Sequence, residues 1–330
     1  MTTLSVAMCT YNGARWIEAQ LMSVLSQTCP PDEIVVSDDM STDGTLSVIA
    51  RVFDGWKADH PDSPIRMIVL RPDVRRGVTA NFERAMGACH GDLIALCDQD
   101  DMWRAERLHR IVATFDRRKT LLLLHGDARI CDEDGRPSGA TLFETLKVTA
   151  WERAAVARGD GYTALLRRNL VTGATTVIRR ELLGLSTPFP ADWVHDEWLG
   201  IIAAASGEID LILEPLVDYR QHSTNQIGAR KLDLKEKVGR LTASRYERND
   251  RLVRRAMALV DRLSSGSVDG VLADRVVRAE AKLAHEMFRQ GLSATRGKRI
   301  IPIVQRVMRG DYEHFSRGSI DAFRDFLQAP

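Results

Sequence analysis

Short apolar runs alternate with amphipathic ones along the first two thirds of the chain. Residues 4–9, 33–37, 66–70, 93–97 and 121–125 are rich in Val, Ile and Leu, without a period-two polar face. Such runs predict strands buried on both sides. Between them the apolar positions recur at helical spacing. Residues 13–27 carry Trp16, Ile17, Leu21, Val24 and Leu25 on one side, and further helices are predicted from Asp43 to about Phe53, over 78–88 and over 103–117. This strand–helix rhythm predicts a parallel sheet covered on both faces.

The pattern then loosens. A run at 128–131 leads to Asp134-Gly135, a hairpin turn signal, and residues 139–168 read as mostly helical. A strand over 173–178, a helix over 193–204 and short runs at 209–213 and 216–219 follow. Beyond Gly228 no strand is expected. Residues 232–290 read as two long Arg-rich helices split near Ser264-Ser265-Gly266, and 297–327 as one or two shorter ones.

Net charge is only +1, but it is segregated: residues 230–330 hold 22 Lys+Arg against 13 Asp+Glu, and residues 1–229 hold 24 against 32. A basic tail on an acidic body points to a polyanionic neighbour. Solvated faces or a helical cap on the main domain, docking on anionic membrane, and homodimerisation are the three readings of that tail. Nucleic acid is not expected, because no binding module accompanies the charge. Cys9, Cys29, Cys89, Cys97 and Cys131 form no Cys-x-x-Cys pair and read as reduced core residues, which points to the cytoplasm. Met1-Thr-Thr-Leu-Ser lacks the features of a signal peptide. No apolar run approaches the ~20 residues that span a bilayer, so the expectation is a cytoplasmic protein, at most peripheral on the inner face of the membrane.

Four clusters carry candidate chemistry. Asp98-Gln99-Asp100-Asp101 directly follows the run at 93–97. Open α/β sheets bind ligands at the carboxyl ends of their strands, and carboxylates crowded there call for a cation such as Mg²⁺ or Mn²⁺ shared with substrate phosphates. Asp101 also reads as a helix cap. Asp38 and Asp39 end the second run, where an acid accepts hydrogen bonds from a ribose or a base, while Asp43 reads first as a cap. His195-Asp196-Glu197 opens a helix; it is either an ordinary acidic first turn or the place of a general base. Arg220 and His222, in Tyr219-Arg220-Gln221-His222, suit a phosphate and a metal, although a lone His is usually neither.

Taken in this order and spacing, the motifs resemble the family 2 glycosyltransferases over residues 3–228. The resemblance rests on Val6-Ala7-Met8-Cys9-Thr10-Tyr11-Asn12-Gly13, on the stretch from Glu33 to Thr45, and on Cys97-Asp98-Gln99-Asp100-Asp101-Met102-Trp103. The last of these and Tyr219-Arg220-Gln221-His222 are most similar to the bacterial rhamnosyltransferase-like branch. The resemblance implies a GT-A fold, a Rossmann-like mixed sheet flanked by helices, over residues 1–228, with a basic helical extension over 229–330. It implies donor contacts from Thr10, Tyr11 and Asn12, from Asp38, Asp39 and Arg76, and from Asp98, Gln99 and Arg220. Asp100 and His222 would meet the metal, and Asp196 would be the base, with Glu197 the alternative. The implied donor is a dTDP- or UDP-linked sugar, rhamnose first, and the implied acceptor a glycan or lipid-linked glycan. The Gln-x-x-Arg-Trp signature of processive members is absent, which favours single-sugar transfer. Nucleotidyl transfer on the same fold would need a Gly-rich loop where Thr10-Tyr11-Asn12-Gly13-Ala14-Arg15 stands. A non-catalytic binding protein would not need carboxylates at all three key positions.

Overall fold

The computed structural model describes residues 2–222, 245–265 and 273–328. Its centre is a seven-stranded sheet. The strands are β1 (Leu4–Thr10), β2 (Glu33–Asp38), β3 (Arg66–Leu70), β4 (Leu93–Cys97), β6 (Leu121–Gly126), β9 (Val177–Arg179) and β10 (Glu208–Ile212), in the order β10-β6-β9-β4-β1-β2-β3. The sheet is mixed rather than parallel. β9 runs antiparallel to both β4 and β6, and the other pairs are parallel.

Alternating side chains explain why the runs lack a polar face. Val6 and Met8 of β1 point into one core with Ile34, Val36 and Ala95, while Ala7 and Cys9 point into the other with Val35, Ile94 and Leu96. Helices α1 (Ile17–Leu25), α2 (Thr45–Asp59) and α4 (Arg107–Arg117) cover the first core. The second is covered by α3 (Val78–Gly87), α6 (Ala150–Ala157), α7 (Gly161–Arg167) and α9 (His195–Ser206). Both faces of the central strands are therefore buried, whereas the edge strand β3 is exposed or half-buried along its whole length, unlike the expectation for residues 66–70.

A second sheet is the device that assembles the site. It pairs β5 (Met102–Trp103), β11 (Val217–Arg220), β7 (Arg129–Cys131) and β8 (Pro137–Thr141), in the order β5-β11-β7-β8. Trp103 therefore lies in a strand, and α4 starts at Arg107 instead. The two-residue β5 pairs Met102 with Asp218 and Trp103 with Val217, so the acidic run beside it meets the residues after β11.

Several other expectations change. Residues 139–141 lie in β8, the hairpin partner of β7, and the rest of the stretch breaks into α5 (Leu142–Thr145), α6 and α7. Thr141 and Thr149 begin two of these helices with capping boxes through Glu144 and Glu152, which ends one element and starts the next. The strand expected over 173–178 is a 3-10 turn, Gly173–Thr175, followed by the three residues of β9. There the Thr175 and Thr176 hydroxyls donate to the Thr172 carbonyl at 3.0 and 2.8 Å, a local alternative to strand pairing.

After α8 (Glu181–Ser186), the C-terminal segment forms α10 (Arg245–Ser264), α11 (Ala273–Gln290), α12 (Ile300–Met308), α13 (Asp311–Phe315) and α14 (Ser319–Leu327), one or two more short helices than expected. The boundary at 228/229, the start of the first long helix and Gly266 lie outside the described residues. The tail packs on the main domain, and several of its arginines engage that domain while others, such as Arg251 and Arg317, stay exposed. Leu259, Leu263 and Ala279 join the second core. Arg262 donates to the carbonyls of Leu185, Thr187 and Pro188, Arg254 pairs with Asp192 at 2.7 Å, and Arg255 pairs with Glu197. Among the described residues, no helix is long and apolar enough to cross a membrane.

Candidate active site

The carboxyl ends of β1, β2 and β4 open onto a cleft of about 590 Å³. The register places Thr10 beside Asp38 and Met8 beside Cys97, so the residues that follow these strands converge at one rim. Six acids line the cleft (Asp39, Asp43, Asp98, Asp100, Asp196 and Glu197), and Arg15 is the one Lys or Arg side chain on its wall among the described residues. A diphosphate entering so acidic a cleft needs a cation to offset the repulsion.

At the β2 end of the cleft the two neighbouring aspartates part ways. Asp38 is fully buried beneath the cleft and does not line it. Its carboxylate accepts from Thr10 Oγ1 at 2.8 Å, from Ser41 Oγ at 2.5 Å and from the Ser41 amide at 2.9 Å, so it holds the loop rather than a ligand. Asp39 lines the cleft and accepts the Arg76 and Gly77 amides at 2.7 and 2.9 Å. Gly77 presents its amide from φ +81°, a conformation a side chain resists. Among the described residues Arg76 makes only this backbone contact, and its side chain is exposed. Arg75, which the sequence reading passed over, lies 3.8 Å over the Tyr11 ring and 3.6 Å from Asp39. The Arg-Arg pair in a loop gave no signal to choose between them.

Gln99 is locked by a two-way amide pairing with the Tyr11 backbone, accepting at 2.8 Å and donating at 3.0 Å. Asn12 occupies the left-handed region at φ 50° and accepts from the Thr42 amide at 2.9 Å. Asp43 accepts from the Thr45 and Ala14 amides at 3.0 and 3.1 Å, a local turn-capping role, while also lining the cleft.

Asp98 and Asp100 both face the cleft. Burial raises the pKa of Asp98, and the neighbouring Asp100 and Asp196 add to the shift. Asp101 does not cap a helix. It accepts the Arg220 amide at 3.0 Å and so stitches the acidic run to β11. Arg220 itself is buried and does not line the cleft. His222 does arrive at the site: its Nε2 lies 2.8 Å from Asp100 Oδ2, and its ring stacks on Trp16 with centroids 3.8 Å apart. Among the described residues, no three His, Cys, Asp or Glu side chains form a complete metal cage. One carboxylate and one fixed imidazole nonetheless fit a divalent ion that takes its remaining ligands from phosphate oxygens and water.

Across the cleft, α9 presents Asp196 from its first turn. Its carboxylate accepts the Gly173 amide at 2.8 Å and the Glu197 amide at 2.7 Å. Burial raises its pKa to about 6, against those hydrogen bonds. Glu197 is instead engaged by Arg255 of α10. His195 stacks on Phe82 at 4.0 Å and is held neutral by burial, its pKa lowered to about 3. A Cβ at position 173 would lie 2.8 Å from His195 Nε2, so a larger residue there would have to displace the buried imidazole. The Gly173 amide could not then hold Asp196 without moving the imidazole.

A family model described as Glycosyl transferase family 2 matches residues 5–173, just over half of the chain. The chain belongs to glycosyl transferase family 2. Its relatives in this family include an uncharacterized Mycobacterium tuberculosis protein, 29% identical over 228 residues, which are 67% of this chain and 59% of the relative. The chain thus spans less than two thirds of that relative's length. The dTDP-rhamnosyl transferase RfbG of Shigella flexneri is 27% identical over 247 residues, 71% of this chain and 78% of RfbG. Among solved structures, S. aureus TarS residues 1–349 in complex with UDP-GlcNAc superposes with a TM-score of 0.58 at 16% identity, covering 98% of this chain and 90% of that one. The mannosyltransferase PcManGT from Pyrobaculum calidifontis, in complex with GDP-Man and Mn²⁺, gives 0.51 at 21% identity, covering 98% and 77%. At these identities the structural likeness establishes the GT-A fold, and it extends through the C-terminal helices.

Proposed function

We propose that the protein is an inverting, metal-dependent glycosyltransferase that moves one sugar from a nucleotide diphosphate donor to a hydroxyl of a glycan or lipid-linked glycan in bacterial surface polysaccharide synthesis. The observation that carries this reading is the division of labour among the acids of one cleft. Asp39, Asp98, Asp100 and Asp196 all line it, with Asp39 held by the Arg76 and Gly77 amides and Asp196 by the Gly173 and Glu197 amides.

In this reading Asp39 and Tyr11 seat the nucleoside, and Asp98 orients the donor sugar. Asp100 and His222 would hold Mg²⁺ or Mn²⁺, which when bound supplies Lewis-acid stabilisation of the leaving diphosphate. Asp196 takes the proton from the attacking acceptor hydroxyl. Attack from the face opposite the diphosphate inverts the anomeric centre, the stereochemical logic of a single displacement. A buried carboxylate with a pKa of about 6 is ionised near neutral pH yet basic enough to accept that proton. The amides of Gly173 and Glu197 keep it in place. Glu197 is the weaker candidate for the base because Arg255 neutralises it.

Likeness to RfbG supports a dTDP-linked donor with rhamnose first, and likeness to TarS and PcManGT supports UDP- or GDP-sugars as the other candidates. A peripheral position on the inner face of the membrane is supported by α12. It exposes Ile300, Ile301, Val304, Val307 and Met308 beside Ile320 and Phe323 of α14, with Arg306 and Arg309 nearby, the composition of an interfacial helix. A thermal-shift screen of nucleotides and nucleotide sugars, with and without Mn²⁺, tests the donor reading. The true donor raises the melting temperature by mass action, and a screen in which no nucleotide does so would refute it.

A further inference from the structure

A second cavity, of about 460 Å³, lies between the catalytic unit and the C-terminal helices. Asn169 and Glu197 line both it and the acidic cleft, so the two share a wall. Their charges are opposite. Nine Lys or Arg side chains line the second cavity against three acids, Glu197, Glu286 and Asp321. Glu152, Glu313 and Asp325 pair with lining arginines from behind the wall, and among the described residues positive charge stays in excess.

The excess is usable. Arg251 is exposed and donates to the Asp192 carbonyl at 3.3 Å, with no carboxylate within 4 Å among the described residues. Arg317 is exposed, and its backbone amide, not its guanidinium, meets Asp321. Two buried N–H groups on the wall, Arg167 Nε and Arg248 Nη1, find no acceptor among the described residues, which is costly unless an anion arrives. Burial and the adjacent Arg289 lower the pKa of Arg248, as expected where like charges crowd without enough counter-charge.

We propose that this cavity binds a phosphate or diphosphate group carried by the acceptor, with the acceptor hydroxyl reaching past the Glu197–Arg255 pair to Asp196. This rests on the transferase reading above. The donor's diphosphate is assigned to the acidic cleft, where a dication must accompany it; the second cavity supplies its own positive charge. Several guanidinium forks converging on one space suit the oxygens of a multivalent phosphate.

The test is calorimetric titration with inorganic pyrophosphate in metal-free buffer. Wild-type protein, Asp100→Asn and Arg251→Gln/Arg317→Gln are compared, with Arg317→Glu carried alongside in case the double variant loses its fold by circular dichroism. Asp100→Asn should leave the affinity unchanged, and the arginine variants should weaken it roughly tenfold or more. Equal affinity in the arginine variants, or no binding by wild type, overturns the proposal. Mn²⁺-dependent nucleotide binding is measured on the same samples and should survive the arginine changes. Its loss in wild type refutes the donor reading instead, so the two failures are distinguishable. Geranyl diphosphate and a glycerol phosphodiester oligomer separate the two sources of the group. Arginine-sensitive tightening by the first assigns a prenyl-linked acceptor, and by the second a phosphodiester glycan.

Discussion

Removing the proposed base while keeping its shape is the sharpest perturbation of the site. Asp196→Asn preserves volume, and its single carbonyl oxygen can still accept from one of the two amides, Gly173 or Glu197, which meet different oxygens of the carboxylate; at the cost of the other bond, the fold and the donor site should survive. What is lost is proton acceptance, which typically contributes ~10²–10⁴-fold, or about 3–5 kcal/mol of barrier. The structure also sets a pH window. The Asp196 pKa is raised to about 6 by burial, and the base works only when deprotonated. Turnover is therefore present above that value and lost as pH falls through it. From pH 7 to pH 5 the ionised fraction drops roughly tenfold, from ~0.9 to ~0.1. Initial rates of nucleoside diphosphate release, measured from pH 5 to 8 with donor and acceptor saturating, should trace this limb in wild type. Glu197→Gln should keep the limb and lose less than about tenfold, because Glu197 is already neutralised by Arg255. Near-normal turnover by Asp196→Asn together with a dead Glu197→Gln would refute the assignment.

Other consequences can be checked in parallel. Chelation with EDTA should abolish transfer, and Mn²⁺ should restore it; His222→Ala should raise the Mn²⁺ concentration needed for half activity, and full activity in metal-free buffer would refute the cation role. Arg75→Ala should weaken nucleotide binding roughly 2–5-fold through loss of its contact with Tyr11, whereas Arg76→Ala should change calorimetric affinity less than about twofold, since its side chain is exposed. His125 is buried with both ring nitrogens unpartnered among the described residues, and burial lowers its pKa to about 4. The unfolded chain takes up that proton first, near pH 6.5, so stability is present above that pH and falls by up to about 3 kcal/mol as pH drops toward 4. Melts of His125→Phe across this range should be correspondingly flatter. Co-sedimentation with anionic vesicles should be salt-sensitive and reduced by Ile301→Glu/Met308→Glu on α12; binding indifferent to lipid charge would contradict the membrane position.

The buried strands were legible because Val-, Ile- and Leu-rich runs without alternation have few other uses. The acids that follow β2 and β4 were legible because their place after a strand carries meaning in this class of sheet. What the sequence hid was non-local. The reversed strand β9 is three residues long and gets its pairing from β4 and β6, not from its own composition. The two-residue β5 has no periodicity at all, yet it places His222 against Asp100 across 122 positions. Asp38 and Asp39 look equivalent on paper, and only the turn at Ser41 decides which one faces inward and which faces the cleft. The arginines of the tail read as surface because their partners lie 58 to 77 residues earlier in the chain.

The Glu197–Arg255 contact has a consequence for how the protein matures. Until α10 leaves the ribosome, Asp196 and Glu197 stand side by side without the Arg255 guanidinium that offsets their mutual repulsion. The C-terminal helices thus complete the charge balance of the first turn of α9, which makes them a built part of the cleft wall rather than a detachable accessory.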